Sequence, residues 1–334
     1  MKVKVTDLRD KVNAGVKKLG YEGEDAQIIA DVLMYAQLRG NNQGIAKIAT
    51  GGVPKASDVE PFKLVKENKC GVLFSGGHSM VASTKAAEKA VELAKIHGVG
   101  VVASNHTHTS SGAIGSYARK IAEAGYIGFV CVGNGDWAAV APAGSAEPKL
   151  GTNPLAYAFP YEGGVVVFDT ATAAAAYYGV VEAMLKGEPL PESVGLNSKG
   201  EPTTDAAEVL GKGNGEAVGG AITTFAGHKG FGLSLFVQLL GSAFALAGYP
   251  GGRGKDGAGT FVLAIDPGLL AGTDEFMRRS RELVDSIKTA KPIEGQHVSL
   301  PGERGDELAK RAEASGELEI ADAIWQELCN FVEA

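Results

Sequence analysis

Between residues 70 and 132 the chain alternates short apolar runs with helical stretches, and that alternation narrows the fold more than any other feature. Gly71-Val72-Leu73-Phe74 reads as a strand, Ser79 to His97 as a helix rich in Ala and Lys, and Val99 to Ala103 as a buried strand. Gly112 to Ala124 is again helical, and Ile127 to Val132 is a further apolar strand. Runs of this kind, joined by helices, belong to an α/β sheet covered on both faces. Ala156 to Pro160, Val165 to Asp169 and Gly259 to Asp266 add strands.

The two ends read as helices. Val5, Leu8, Val12, Val16 and Leu19 recur at helical spacing, with Thr6 as the expected N-cap and Gly20 as the stop. A second helix runs from Glu24 to Leu38, and the glycines and asparagines of Arg39 to Gly44 break it. Ile45 to Thr50 is a further short helix, and Gly51 to Pro61 a turn-rich hinge. Beyond the strand at 259–266, helices are expected over Thr273–Thr289, Gly305–Ala314 and Ala321–Val332. The N- and C-terminal segments, 1–68 and 273–334, therefore form a helical layer on an α/β core spanning 69–272. Within that core Gly179 to Gly187 reads as a helix and Gly187 to Ala226 as mostly loop. Lys229 to Ala247, the most apolar helix of the chain, is expected at the centre.

Composition removes several function classes. A net charge of −7 argues against a nucleic-acid surface and a polybasic membrane anchor. No apolar run approaches the roughly 18 residues of a spanning helix. The N-terminus mixes charges with spaced apolar residues, so no signal core is read there. Cys70, Cys131 and Cys329 form no CxxC and fit buried thiols in a reducing, cytoplasmic setting. Glycine, 47 of 334 residues, sits in short motifs where backbone turns tightly or approaches a ligand.

Gly252-Arg-Gly-Lys-Asp-Gly257 matches GxGxxG in letters, but it follows a helix and a turn, not the strand a dinucleotide fingerprint requires. His106-Thr-His108 would face one way on an extended segment, yet no third ligand accompanies the pair, and no metal site is assigned. Ser104 to Gly112, between a strand and a helix, offers hydroxyls and free amides at a helix start, a cradle for an anion or simply a capped helix. Gly227-His-Lys-Gly230 puts cations where a helix dipole is already positive, which suits a bound phosphate; the alternative is two surface cations at a loop edge. Phe168-Asp-Thr-Ala-Thr172 closes an apolar strand with an acid and two hydroxyls, where open α/β sheets bind ligands.

Taken in order, these stretches resemble the type-2 malate/L-lactate dehydrogenase family, with its sulfolactate, ureidoglycolate and diketogulonate dehydrogenases and its piperideine-2-carboxylate reductases. The resemblance rests on Gly112-Ala-Ile-Gly-Ser-Tyr-Ala118, Ala124-Gly-Tyr-Ile-Gly128 and, above all, Leu150-Gly-Thr-Asn-Pro-Leu-Ala-Tyr-Ala-Phe-Pro160. Phe168 to Thr172, Gly200-Glu-Pro-Thr-Thr-Asp205, Gly227-His-Lys-Gly-Phe-Gly-Leu233 and Leu300-Pro-Gly-Glu303 extend it across nearly the whole chain. It implies a mixed-sheet, non-Rossmann α/β fold, NAD or NADP as cofactor, a homodimer, and hydride transfer on a small 2-oxo or 2-hydroxy acid or a related cyclic imine carboxylate. By motif it implies cofactor contacts at Asn134, Asp169, Thr170, Ala171, Thr172, His228, Lys229, Gly302, Glu303 and Arg304, with Asn153 beside the substrate.

Two departures bear on chemistry. The family's Ser-His-Gly after the second helix is Asn42-Gln43-Gly44 here, and a second family histidine aligns with Ser110. Reducing a carbonyl needs a proton on oxygen, which imidazole supplies at neutral pH and a glutamine amide cannot. Gln43 and Ser110 therefore stand at the reacting centre, with Lys47 in the place of the family's basic residue as partner for a carboxylate. His106 or His108, a few residues from Ser110, is a candidate replacement acid/base, with His108 the one set at the reacting carbon. Alternatives are a protonated imine substrate, which needs hydride alone, or a catalytically silent member that only binds nucleotide.

Overall fold

The structure, a computed structural model, describes residues 1–41, 43–135, 137–211, 219–252, 257–270 and 272–334. The GxGxxG run therefore lies mostly outside the described residues.

The chain opens with a short strand β1 (Lys2–Lys4), then α1 (Val5–Lys18), α2 (Gly23–Leu38) and the single turn α3 (Ala46–Ala49). There follow β2 (Lys63–Glu67), β3 (Gly71–Ser75), α4 (Ser79–His97), β4 (Val99–Thr107), α5 (Gly115–Glu123) and β5 (Ile127–Gly133). A hairpin, β6 (Leu155–Tyr161) and β7 (Gly164–Thr170), leads into α6 (Tyr177–Lys186), β8 (Gly195–Leu196), β9 (Pro202–Thr203), α7 (Ala206–Leu210) and β10 (Ala221–Ile222). The last third holds α8 (His228–Gln238), β11 (Ala258–Ile265), α9 (Thr273–Lys288), α10 (Glu303–Ser315), β12 (Glu317–Glu319) and α11 (Asp322–Glu333).

The main sheet has the order β2-β3-β4-β11-β5-β6-β7. Only β3 and β4 run parallel, joined by the crossover helix α4; every other neighbour pair is antiparallel. This is the mixed α/β sheet expected. It differs at its edge: Lys63–Glu67 is a strand that the sequence conceals, because its residues are exposed on both faces. Lysines on such an edge discourage pairing with another chain.

One core runs from the terminal helices into the sheet. Leu8, Val12 and Val16 of α1, Ile29 and Leu33 of α2 and Leu328 of α11 join Val102, Val130 and Val262 of the strands. Burying each such side chain contributes about 1.5–3 kcal/mol, which is what fastens the helical layer to the sheet. The two ends meet where β1 pairs with β12 and α1 packs on α11, whereas residues 63–67, expected in the helical layer, belong to the main sheet. Because β1 occupies Lys2–Lys4, α1 starts at Val5 with Lys4 at its N-cap, not at the expected Thr6.

The stretch expected as loop, 187–226, is partly built. The strands β8, β9 and β10 form a small sheet, and with α6 and α7 they enclose a separate core of Val140, Leu150, Val180, Leu190, Val194, Val209 and Ile222. Two-residue strands carry no period, so the sequence gives no sign of them. The other correction concerns α8. Its expected central position is not found: Leu233, Leu235, Phe236 and Leu239 are 41–53% exposed, although Val237 and Ser234 are buried against the sheet. Beyond Gln238 the helix widens into a π turn, Leu239–Phe244, where Gly241 lies so close to Gly133 of β5 that a Cβ would stand 2.2 Å from the Gly133 nitrogen.

Candidate active site between two cores

A cavity of about 480 Å³ opens where the small core meets the large one. Its walls come from three places. The loop after α2 brings Gln43 and Lys47; the segment after β4 brings Thr109, Ser110 and Ser111; the small unit brings Trp137, Tyr177 and Tyr178. Val132, Pro154, Ala171 and Ala258 make a smooth floor at the strand ends, and Asp169 closes β7 there.

The loop carrying Gln43 and Lys47 is shaped by its neighbours. The Gln37 side-chain oxygen accepts the Ile45 amide at 3.2 Å, and Gly44 fits because a Cβ would stand 2.4 Å from that oxygen. Gln43 donates its backbone N–H to Asn41 Oδ1 at 2.9 Å and faces the cavity. Lys47 is 2% exposed, and its ammonium sits 4.4 Å from the centre of the Tyr178 ring. Among the described residues no carboxylate lies within ion-pair reach of Lys47. Burial alone then pulls its pKa down to about 8.

Asp169 is the acid of the cavity. Its Oδ2 accepts the Gly115 N–H at 2.8 Å, at the start of α5. Protein surrounds the carboxyl on the sheet side, and this desolvation pushes its pKa up to about 6 against the lowering effect of the Gly115 bond. The side chain still faces open cavity, so water reaches it and it is ionised at neutral pH.

Other expected site residues divide by location. Ser110, Asn134, Thr170 and Ala171 line the cavity. Ser110 Oγ accepts the Gly112 N–H at 3.1 Å, and Asn134 donates its side-chain amide to Trp137 O at 3.1 Å. Asn153, expected beside the substrate, is fully buried, with φ +40°, and its amide nitrogen donates to Ser234 O, Ser234 Oγ and Gln238 Oε1. The structure thus sets it beneath the floor as a support. Thr172, also fully buried, donates to Asn153 O at 2.9 Å in the same network. His108, expected as a replacement acid/base, is not brought to the cavity wall. Its carbonyl accepts Ser79 N–H and Oγ, which fixes it beside α4. His106 has φ +50°, so the alternation expected for His106 and His108 on one extended face is broken.

His228 and Lys229 are exposed at the first turn of α8, where no carboxylate among the described residues pairs with them. That donor set, a lysine ammonium and an imidazole on the amide end of an 11-residue helix, fits a pyrophosphate. Gly302 opens α10 with φ +85° against Val167 O, where a Cβ would stand 2.6 Å away. Glu303 accepts Leu300 N–H at 2.9 Å and pairs with Lys288, while Arg304 is exposed. Both groups therefore lie outside the cavity wall, on surface a dinucleotide tail would cover. Tyr177, Tyr178, Trp137 and Thr109 were not legible as site residues, because the small unit that carries the aromatic three is itself hidden in the sequence.

A deep cavity between two lobes of an α/β protein, holding one buried cation and one raised carboxyl, is the layout of an enzyme for a small acid. The chain belongs to the malate/L-lactate dehydrogenase family, which it matches over residues 3–329. It is 34% identical to the L-sulfolactate dehydrogenase of Methanocaldococcus jannaschii, over 86% of this chain and 84% of that one. It is 31% identical to the Δ1-pyrroline-2-carboxylate/Δ1-piperideine-2-carboxylate reductase of Pseudomonas putida, over 95% and 93% of the two chains. Among solved structures, the M. jannaschii sulfolactate dehydrogenase superposes with a TM-score of 0.82 at 31% identity, covering 100% of this chain and 98% of that one. The Δ1-piperideine-2-carboxylate reductase of Pseudomonas syringae pv. tomato gives 0.83 at 27% identity over 99% of each.

Proposed function

We propose that this member of the family reduces a cyclic imine carboxylate, a zwitterion with one carboxylate and one protonated C=N, using NADH or NADPH. The observation that carries the reading is the charge inventory of the cavity. Among its described lining residues Lys47 is the one cation and Asp169 the one acid, and no imidazole accompanies them. Malate and sulfolactate, the substrates named for relatives, carry two anionic groups, which this wall does not match. Lys47 takes the carboxylate, its buried charge gaining the partner it lacks in the chain. Asp169 takes the iminium N–H, held ready by the Gly115 bond. NAD(P)H, when bound, supplies the hydride. Hydride addition at the iminium carbon leaves a secondary amine and calls for no proton from the protein. That removes the need for the two family histidines, whose places are filled by Gln43 and Ser110. The apolar floor of Val132, Pro154, Ala171 and Ala258 excludes water from the reacting carbon.

The test is cofactor oxidation, followed at saturating NADH or NADPH, with Δ1-pyrroline-2-carboxylate, Δ1-piperideine-2-carboxylate, pyruvate and oxaloacetate. The imines should give the highest kcat/KM and oxaloacetate the lowest. Preference for oxaloacetate would overturn the reading, and cofactor binding with no turnover on any of the four would make the chain a silent nucleotide-binding member. The exposed apolar face of α8 and the following turn, with Leu235, Phe236, Leu239 and Phe244, supports a homodimer, since faces of this kind on a soluble chain are covered by a partner. Sedimentation of Phe236→Glu as a monomer, against a wild-type dimer, checks it. Three free thiols support a reducing, cytoplasmic setting.

A further inference from the structure

His78 and Thr109 form a pair that the reaction described above does not yet use. His78 precedes α4, is 2% exposed, and its Nδ1 accepts the Met80 N–H at 3.1 Å. An acceptor at Nδ1 requires the proton of the neutral ring on Nε2. Burial keeps the ring neutral, with its pKa drawn down to about 4. Nε2 lies 3.1 Å from Thr109 Oγ1, so His78 donates and the threonine oxygen accepts. The hydroxyl hydrogen of Thr109 is therefore turned away from His78, and among the described residues no protein acceptor receives it. Thr109 lines the cavity.

The backbone adds an independent sign. Thr109 has φ +79°, a left-handed conformation that a β-branched residue adopts only under strain. Ser79 Oγ holds it there by donating to His108 O at 2.7 Å and Thr109 O at 3.1 Å. The chain thus spends strain and a buried histidine on presenting one hydroxyl.

We infer that Thr109 is a substrate-binding residue, a fixed hydrogen-bond donor to the substrate carboxylate beside Lys47, with His78 as its positioning residue. This rests on the imine reading. A protonated cyclic imine carboxylate has a single kind of acceptor, its carboxylate oxygens, since its nitrogen is a donor and is matched to Asp169. Lys47 is a point charge and sets no plane, whereas a second donor of fixed direction turns the carboxylate, and with it the ring, against the floor.

The experiment compares Thr109→Val and Thr109→Ser in KM and kcat for Δ1-pyrroline-2-carboxylate, with the Kd of pyrrole-2-carboxylate, a planar monoanion bearing a ring N–H, as a measurement free of turnover. Valine is as β-branched as threonine, so backbone strain is unchanged and only the donor is lost. Thr109→Val should raise KM and Kd at least about tenfold, the loss of a hydrogen bond to a charged group, with kcat changed less; Thr109→Ser should stay within about threefold of wild type. His78→Asn, whose side-chain oxygen can still cap Met80, should raise KM by a smaller factor and add nothing to Thr109→Val in the double variant. An active wild type in which Thr109→Val leaves both KM and Kd unaltered overturns the assignment of Thr109 alone. A wild type that neither turns over the imine nor binds pyrrole-2-carboxylate overturns the imine reading, and the assignment with it.

Discussion

Two cavities of similar size treat their cations in opposite ways. Beside the 480 Å³ cavity of the candidate active site, a second of about 550 Å³ lies between α5, α10 and the β6–β7 hairpin. Its buried guanidinium, Arg119, binds both oxygens of Asp306 at 2.6 Å; Arg39 reaches the same carboxylate at 3.3 Å, with its guanidinium 3.9 Å from the centre of the Tyr35 ring. Hydrogen bonding to Asp306 holds the Arg119 charge in place against the opposing effect of burial, and its pKa rises. Among the described residues Lys47 has only an aromatic face, and its pKa falls to about 8. Charge is paired where it binds α2, α5 and α10 to one another, and left unpaired where a ligand is to complete it.

Lys47→Met should produce the largest change. Removing one partner of a desolvated pair costs the complex several kcal/mol, so kcat/KM should drop roughly a thousandfold. The same change should raise the melting temperature, because an unpartnered buried charge leaves the fold. The sign with pH follows: the folded pKa near 8 lies below the ordinary lysine value of 10.5, so between these the unfolded chain holds the extra proton. Stability from Lys47 therefore rises with pH across that window, and thermal melts of Lys47→Met should lose this rise. A melting temperature lowered at pH 7 would break the comparison.

Next in size is Asp169→Asn, expected to lower kcat/KM about thirtyfold through loss of the charge facing the iminium. Wild-type kcat/KM should fall below about pH 6, as Asp169 takes up a proton, and above about pH 8, as Lys47 loses one. The acid limb should vanish in Asp169→Asn and the alkaline limb persist. Arg119→Met should act in the opposite sense to Lys47→Met, destabilising by about 2 kcal/mol in urea unfolding while KM is nearly unchanged. A large KM effect there would mean that the two cavities are not separate in function. Smallest is Tyr178→Leu: loss of the ring face should raise KM roughly fivefold, with Tyr178→Phe close to wild type.

What was legible in the sequence follows the range of the forces involved. The helix Ser79–His97 is legible to the residue, because alanine spacing and the left-handed Gly98 that ends it are local signals. The strands β5, β6 and β7 are legible within a residue or two for the same reason. The edge strand Lys63–Glu67 is not, since its pairing with β3 imposes a strand on Lys-Leu-Val-Lys-Glu, which shows no alternation of apolar and polar residues. In the site, Lys47 and Asp169 were marked by motif, but the unpaired state of the one and the raised pKa of the other depend on packing between segments far apart in the chain. His78 stands in no motif. Its meeting with Thr109 requires β3 and β4 to lie side by side, so that the chain after each strand emerges at one place.

The pairing of Lys2–Lys4 with Glu317–Glu319 orders events during synthesis. The strand partner and α11 are made about 300 residues after α1, so until then the apolar residues Leu8, Val12 and Val16 have α2 as cover but lack α11. Meanwhile the central strands can assemble from what has already been made. The nascent protein therefore spends that interval as a sheet with an open flank, the stage at which chaperones have most to hold and heat the most to damage.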